Sequence, residues 1–467
     1  MIIRIFNKDF PLHSLLFVIG EGVLIYAAVL MAAFLRLGGA HASFLSGEVL
    51  GKALWVTLIW QGCLYYSELY NLKVTHTDMK LSLRLIKAMS ICFLVLAAVY
   101  YCIPSLLVGR GILIVSFVFI VPLIVLWRYA YNWVLKKKMF TQSVMIIGSG
   151  KLCKEIVNEI KDCLNSGYRV GGVIFTNSSS PSGLSPDIPI FSMVSMDGGL
   201  CDLADSLGIK KIIVAMDERR GYLPTEELLR CKMKGIQIIE GESLYEQLTG
   251  KLFVEKLNPS CLIFSNGFRK SEIVRLTKWA VDIIMASVGL LLTSPLIGLI
   301  ALAIKFDSKG PVFFEQDRCG EADLVFKLYK FRSMIDNAEA ASGPCWATEN
   351  DRRVTKLGRI LRKYRLDEIP QMWNVLKGDM SFVGPRPERP EFVRKLGRVI
   401  SYYSERHTVK PGITGWAQVC YHYGASVEDS TEKLKCDMFY IKNMSLAIDL
   451  IIILKTIKVM LLNTGAR

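Results

Sequence analysis

Two adjacent acids, Asp367 and Glu368, stand in the stretch L-D-E-I-P-Q at residues 366–371, directly after a run of cations: Arg352, Arg353, Lys356, Arg359, Arg362, Lys363 and Arg365. Pro370 fits the first position of a helix, and Gly378 fits just past its end. The acids therefore sit just ahead of a helix N-terminus, where backbone N–H groups favour anions. Such a pair beside cations can hold Mg²⁺ and a phosphate together. The plainer readings are an exposed acid pair capping a helix and a solvated or lipid-facing cationic helix face. Downstream, Gly384, Pro385, Arg386 and Pro387 place one guanidinium between two rigid prolines, suited to a phosphate or a base, or simply a stiff surface loop. Upstream, Arg318 lies in Q-D-R-C-G, and Lys330 and Arg332 lie where basic and aromatic residues alternate through residues 326–334. That alternation suits a surface in a lipid headgroup layer beside a phosphate site.

These residues need an element to bring them to lipid. Residues 279–306 are apolar and long enough to span a bilayer, with Ser294 and Pro295 at their centre. Proline deletes a backbone hydrogen bond and clashes with the preceding turn, so a bend is expected there. Arg269, Lys270, Arg275 and Lys278 precede the segment, while Lys305, Lys309 and Arg318 follow it. Both flanks are basic and both prefer the cytoplasm, which favours a re-entrant helix, break and helix over a fifth span with a proline kink. The last apolar stretch, 446–462, is interrupted by Asp449, Lys455 and Lys458 and reads as a helix lying on the membrane or the domain.

The rest of the chain fits a membrane setting. Of 467 residues, 52% are hydrophobic and 21% charged, with a net charge of +15. The mean hydropathy of +0.35 is high for a water-soluble protein. Four apolar stretches, near 12–35, 49–66, 85–107 and 112–133, predict a four-helix transmembrane bundle over 1–138. Arg4, Lys8, Lys73, Lys80, Arg84, Lys87, Arg128 and Lys136 to Lys138 lie on one side, and only Arg36, Lys52 and Arg110 on the other. Both ends of the bundle are thereby assigned to the cytoplasm. Glu21, inside the first span, is either functional or an acid that faces the bundle. No extended Lys/Arg tract or zinc-finger spacing points to nucleic acid. The twelve Cys include no C-x-x-C pair, and the five His lack H-E-x-x-H spacing, so a zinc enzyme or a redox pair has no support.

From Gln142 the periodicity changes to alternating strand and helix. Strands are expected at 143–147, 170–175, 211–215 and 235–239, with a helix at 151–164 and a Ser/Pro/Gly loop at 177–186. This outlines a Rossmann-like domain over 139–268. Gly148 and Gly150 form a glycine turn before the helix, but Cys153 takes the third glycine position. The second strand ends at Thr176 and Asn177, without an acid for a ribose. No Tyr is followed four residues later by Lys. The domain is expected to be non-catalytic, a scaffold or a nucleotide sensor.

The segments Q-D-R-C-G, K-F-R-S-M, L-D-E-I-P-Q, G-D-M-S-F-V-G-P-R-P and K-P-G-I-T-G-W-A-Q, in that order, resemble the bacterial sugar transferases, which begin glycan assembly on a polyprenol phosphate. The likeness covers about residues 270–467. The four-span bundle and degenerate nucleotide fold match the larger members of that family. E-R-P-E-F at 388–392, Y-G-A-S-V-E-D at 423–429 and the terminal G-A-R resemble its exopolysaccharide branch, associated with the PEP-CTERM protein-sorting system.

The resemblance implies a membrane protein of mixed α and α/β class, with a re-entrant helix and a mostly α-helical catalytic domain over 269–467. It implies transfer of a sugar 1-phosphate from a UDP-sugar to undecaprenyl phosphate with release of UMP, at the cytoplasmic face of the inner membrane. By the same token Asp367 is the nucleophile, Glu368 its partner, and Mg²⁺ is held at the pair. Arg318, Lys330, Arg332, Arg362, Pro385, Arg386 and Pro387 form the substrate site, and Ser294 and Pro295 the re-entrant break. Ile369 stands where many relatives have Leu, a mild change. Glucose or galactose is the implied sugar, and a homodimer is compatible with the reading. The competing assignments are a membrane-anchored NDP-sugar dehydratase using the middle domain and a non-enzymatic scaffold or regulator of polysaccharide export.

Overall fold

A computed structural model describes residues 2–5, 8–37, 47–67, 69–70, 78–136, 141–162, 167–175, 188–193, 199–216, 222–255, 267–336, 351, 353–421, 424 and 426–462. The loop 177–186, Arg352, Tyr423, Ala425 and the terminal Gly465 to Arg467 lie outside these residues. The chain divides into two compact units, Met1–Leu244 and Tyr245–Arg467.

The first unit opens with an antiparallel hairpin of β1 (Ile2–Ile5) and β2 (Lys8–Pro11). Four helices follow: α1 (Leu12–Leu37), α2 (Gly47–Tyr66), α3 (Asp78–Cys102) and α4 (Arg110–Lys136). Leu15–Arg36, Leu83–Cys102 and Gly111–Val134 are long and apolar enough to cross a bilayer. The expected span at 49–66 does form a helix, but it is less apolar. Its polar groups turn inward: Gln61 Nε2 donates to Val18 O of α1 (2.9 Å), and Thr57 Oγ1 to Ala53 O (2.9 Å). Glu21 is buried and paired, its Oε1 accepting from Arg128 Nε (3.0 Å) and Nη2 (2.8 Å), while Arg128 Nη1 donates to Leu69 O. A membrane acid facing the bundle interior is thus neutralised by α4.

The same unit carries a five-stranded sheet of β3 (Gln142–Ile147), β4 (Tyr168–Phe175), β5 (Ile190–Ser192), β6 (Lys211–Val214) and β7 (Gln237–Glu240). The order is β5-β4-β3-β6-β7 and every pairing is parallel. Helices α5 (Lys151–Asp162), α6 (Gly199–Ser206) and α7 (Thr225–Met233) alternate with the strands, and α8 (Gly241–Thr249) runs from this unit into the next. Buried aliphatic strands such as Met145 to Ile147 and Ile212 to Val214 explain the parallel arrangement, which is covered on both faces. Gly148 is required for packing, because a Cβ there would sit 2.1 Å from Ala215 O.

The second unit begins before the boundary expected at 268. Leu252 and Val254 are buried in its core, Leu252 N donates to Lys435 O, and Gly250 O accepts from Trp416 Nε1 (2.7 Å). Lys435, almost fully buried, bonds Glu255 and Glu432, and Glu246 bonds Lys442 and Asn443. The apolar pattern of this strap is too short to show which core it joins.

Helix α9 (Glu272–Asp307) is the long apolar element. Its backbone stays helical through Ser294 and Pro295, so the expected break is not a break in the helix. Pro295 has no N–H for Leu291 O, and Ser294 Oγ donates to that carbonyl instead (2.8 Å). Residues on both sides of the proline pack on the same domain. Ala286 lies with Leu328, Val375 and Met380, while Ile300 and Ile304 lie with Phe331, Leu361 and Ile369. The outer face, with Ile284, Leu291, Leu292, Leu299, Leu302 and Phe306, is exposed.

Beyond α9 come the hairpin β8 (Phe313–Cys319) and β9 (Val325–Phe331), which the sequence had not marked as strands, and α10 (Lys356–Lys363). Next are α11 (Gln371–Lys377), β10 (Ser381–Val383), α12 (Pro390–Val399), β11 (Gly412–Thr414), α13 (Trp416–Cys420), α14 (Val427–Asn443) and α15 (Leu446–Leu462). Ile448 and Ile452 of α15 enter the core, so this helix packs on the domain.

Candidate active site

Asp367 and Glu368 lie in a single 3₁₀ turn, Leu366–Glu368, leading through Ile369 and Pro370 into α11, with Gly378 as the C-cap. Both acids are buried. Glu368 Oε1 accepts from Lys330 Nζ (3.1 Å) and Arg386 Nη2 (2.9 Å). Burial pushes its carboxyl up, but Lys330, Arg386 and Arg365 together outweigh burial and hold it well below the usual range. Asp367 has no side-chain hydrogen bond among the described residues. Burial pushes it above its ordinary value, the Glu368 charge adds to that, and Lys330, Arg362 and Arg386 only partly oppose it.

Lys330 is delivered by β9, whose backbone is gripped by Asn374 of α11. Asn374 Oδ1 accepts from Tyr329 N (3.0 Å) and its Nδ2 donates to Lys327 O (2.7 Å). A fully buried amide thus joins the strand bearing Lys330 to the helix following the acids. Nothing in the spacing around Asn374 marks it for this part.

Arg386 is delivered by a pinned loop. Prolines offer carbonyls but no N–H, and all three carbonyls are held: Pro385 O by Gly412 N (2.9 Å), Arg386 O by Arg406 Nη2 (3.0 Å) and Pro387 O by Arg318 Nη1 (3.0 Å). Arg406 also bonds Asp437 (2.8 Å) and Tyr403 (2.6 Å), all buried; burial pushes Asp437 up to about 6 against the pull of Arg406. Nothing in the sequence around Arg406 marked it. Strand β10, which leads into the loop, pairs in parallel with β11. Gly384 and Gly412 are needed there, because a Cβ on Gly412 would lie 2.0 Å from Gly384 N. The G-P-R-P and K-P-G-I-T-G-W segments are therefore one interlocked structure.

Helix α9 fixes β10 from the other side. Asp282 accepts from Ser381 Oγ (2.7 Å) and Phe382 N (3.1 Å). Lys278 Nζ donates to Val383 O (3.0 Å) and Asp449 Oδ2 (2.7 Å), and Tyr440 OH donates to Asp449 Oδ1 (2.8 Å). The membrane helix and the Arg386 loop are thus bonded through three residues of one short strand.

Of the residues expected at the site, Lys330, Arg386, Asp367 and Glu368 come together directly. Arg362 bonds Ser333 Oγ (2.8 Å) and its charge reaches Asp367. Pro385, Pro387 and Arg318 shape the loop. Arg332 lies elsewhere in its bonding: its guanidinium donates to Ser308 O, Ser308 Oγ and Lys309 O, closing the end of α9. Arg332 follows the last residue of β9, Phe331, so strand alternation no longer holds it on the face of Lys330. Arg365, adjacent to the acids and in left-handed backbone (φ 53°), was not singled out.

No cluster of three or more His, Cys, Asp or Glu occurs among the described residues. Mg²⁺ is commonly held by one or two carboxylates plus substrate phosphates, and two carboxylates beside a group of cations fit that donor set.

A family model described as bacterial sugar transferase matches residues 273–463, and one described as CoA-binding domain matches 66–221. A UDP-N-acetylgalactosamine-undecaprenyl-phosphate N-acetylgalactosaminephosphotransferase of Aeromonas hydrophila is 40% identical over 60% of this chain and 66% of its own length. An undecaprenyl-phosphate glucose phosphotransferase of Komagataeibacter xylinus is 30% identical over 73% of this chain and 64% of its own. The alignments thus span a little under two thirds of those two proteins. An exopolysaccharide production protein PSS of Rhizobium leguminosarum bv. phaseoli is 38% identical over 38% of this chain and 92% of its own length.

Proposed function

The chain belongs to the bacterial sugar transferases, and from that premise we propose that it moves a sugar 1-phosphate from a UDP-sugar to undecaprenyl phosphate, releasing UMP, as the first membrane step of exopolysaccharide assembly. The observation that carries the mechanism is the contrast within the acid pair. Glu368 is bonded to two cations, which withdraw its charge; Asp367 is buried beside the same cations with its oxygens unbonded among the described residues. Asp367 is the group left to act as nucleophile.

An Asp367 oxygen attacks the β-phosphorus of the UDP-sugar, the bond from that phosphorus to the bridging oxygen breaks, and UMP leaves with the electron pair. The sugar phosphate is then held as an acyl phosphate on Asp367. A phosphate oxygen of the lipid attacks the same phosphorus, returning the carboxylate and giving the lipid diphosphate sugar. Lys330, Arg362 and Arg386 offset the charge of the phosphates. Asp367 and Glu368 would hold Mg²⁺, which when bound supplies further neutralisation of the diphosphate. No deprotonating base is needed for an ionised carboxylate.

Packing of α9 supports a re-entrant, cytoplasm-facing placement. The helix is bound to one domain from Lys278 to Ile304, roughly 39 Å at 1.5 Å per residue. A helix held that far along one domain does not place its ends across a hydrocarbon core of about 30 Å. UDP-sugars are cytosolic, and the acceptor phosphate lies in the headgroup layer. Mass spectrometry after incubation with UDP-sugar alone tests the proposal. An adduct on Asp367 is expected; sequential kinetics with no adduct would overturn the covalent route, and absence of UMP release with every UDP-sugar would overturn the transferase reading.

A further inference from the structure

Four cations surround the two acids, and they differ in what they are bonded to. Lys330 and Arg386 are committed to Glu368, and Arg362 donates its Nε–H to Ser333. Arg365 is different: its guanidinium is half-buried, within electrostatic range of Asp367, Glu368 and Arg386, and has no hydrogen-bond acceptor among the described residues. Its N–H donors are open to solvent and meet no acceptor among the described residues, so they are free to meet a ligand's oxygens. The backbone adds a cost. Arg365 has φ 53° and ψ 26°, a left-handed conformation that non-glycine residues adopt at a penalty. Gly or Asn would suit that turn better, so fold stability does not account for an arginine there. Its charge is attracted by Glu368 and Asp367 and repelled by Arg386, yet neither acid accepts a hydrogen bond from its guanidinium among the described residues.

Resting on the transferase reading, we propose that Arg365 is a further substrate-binding residue, whose guanidinium grips a phosphate group of the substrate beside Asp367. Two substrates carry such a group, the nucleotide diphosphate and the lipid phosphate. A planar fork matches two oxygens of either one.

The test uses the full-length protein in detergent or nanodiscs, with Arg365→Gly, Arg365→Asn and Arg365→Lys. Gly and Asn relieve the left-handed backbone while removing the charge, so their melting temperatures should equal or exceed that of the wild type. Their KM should nevertheless rise about tenfold or more, the scale of one charge-assisted hydrogen bond. A rise for UDP-sugar, with slower adduct formation from donor alone, assigns the diphosphate. A rise for undecaprenyl phosphate, with donor adduct formation unchanged, assigns the lipid phosphate. Arg365→Lys should recover part of the loss. Unchanged KM for both substrates in a stably folded Gly or Asn variant overturns the proposal, as does a lowered melting temperature with unaltered kinetics. Isothermal titration with inorganic pyrophosphate separates this from the parent reading: weaker pyrophosphate binding in Arg365→Gly sustains the site even for a protein that releases no UMP. Should Gly and Asn fail to fold, wild-type KM and wild-type pyrophosphate affinity in Arg365→Lys would overturn it, because a point charge does not reproduce the fork.

Discussion

Asp367 and Glu368 are chain neighbours in one 3₁₀ turn, and the fold drives their carboxyl groups in opposite directions, Asp367 up and Glu368 down. Replacing each by its amide should therefore separate chemistry from stability. Asp367→Asn removes a buried charge that no hydrogen bond satisfies, so the melting temperature at neutral pH should hold or rise. Turnover and adduct should fall about a thousandfold or more, as for loss of a covalent nucleophile. Glu368→Gln strips Lys330 and Arg386 of their shared partner and should cost about 3 kcal/mol, read by denaturant melts.

The same divergence sets the pH behaviour. Asp367 is raised from 3.8, so its stability contribution is full below the unfolded value and lost as pH rises through the folded one. Glu368 is lowered from 4.5, so its contribution is present above the unfolded value and lost as pH falls through the folded one. On acidification Asp367 takes its proton first, while Glu368 remains ionised and bonded. Adduct formation should thus show an acid limb above pH 3.8 that is reversible and precedes unfolding. Burst amplitude and circular dichroism followed over the same pH series check this; coincident loss of both would contradict it.

What could be read from the sequence follows from how local each signal is. The parallel strands and the helix after the acids carried their own punctuation: aliphatic runs, the first ending at Gly148, and Pro370 and Gly378 at the helix ends. The acids, Lys330 and Arg386 were recognisable because each sits in a dense motif. The partners that hold them were not. Arg406 reaches Arg386 O, and Asn374 reaches Tyr329 N, through contacts that no spacing rule encodes. Arg332 shows the converse: a basic residue in a phosphate-like motif closes a helix end. Ser294 and Pro295 were expected to break the helix, yet the backbone stays helical through them, and the Ser294 hydroxyl donates to the carbonyl that Pro295 leaves without an amide.

The strap at Tyr245–Glu255 determines where the catalytic unit can be cut. A chain starting near Lys270 loses buried Leu252 and Val254 and the Gly250 acceptor of Trp416, and it takes Glu255 from the buried Lys435. At about 1.5–3 kcal/mol per buried aliphatic side chain, the loss exceeds about 4 kcal/mol once the hydrogen bond is included. A fragment from Tyr245 should melt cooperatively and form adduct, and one from Lys270 should be markedly less stable. Equal melting temperatures for the two would show that the strap contributes nothing.

Lys278 ties the membrane helix to the strand before Arg386 through Val383 O and pairs ionically with Asp449 of α15. Lys278→Met leaves Asp449 buried without its cation and should cost about 3–5 kcal/mol, together with a loss of activity through displaced β10. Adding Asp449→Leu removes the stranded charge and should recover most of the stability. Activity should recover less, because Val383 O still lacks its Lys278 donor. Full recovery of both would mean that the link stabilises without positioning Arg386.

Ser294 and Pro295 allow a sharper test, because one hydroxyl stands in for one missing amide. In the native sequence, Ser294→Ala leaves Leu291 O without a donor in an apolar face, which should cost about 1–3 kcal/mol. Pro295→Ala restores the N–H to that same carbonyl. In that background the hydroxyl is redundant, and Ser294→Ala should cost close to nothing. The double-mutant cycle should therefore be strongly non-additive, with a coupling of about 1–3 kcal/mol. Single cysteines near Lys270 and Lys309, labelled from outside intact spheroplasts and after lysis, report topology for each variant. Both should react only from the cytoplasmic side in the wild type, since both flanks are basic and α9 packs along one domain. Pro295→Ala removes the residue that favours a bend and should expose the second position to outside label in part of the population. Additive costs in the cycle, or outside labelling of the Lys309 position in the wild type, would refute a serine-supported re-entrant helix.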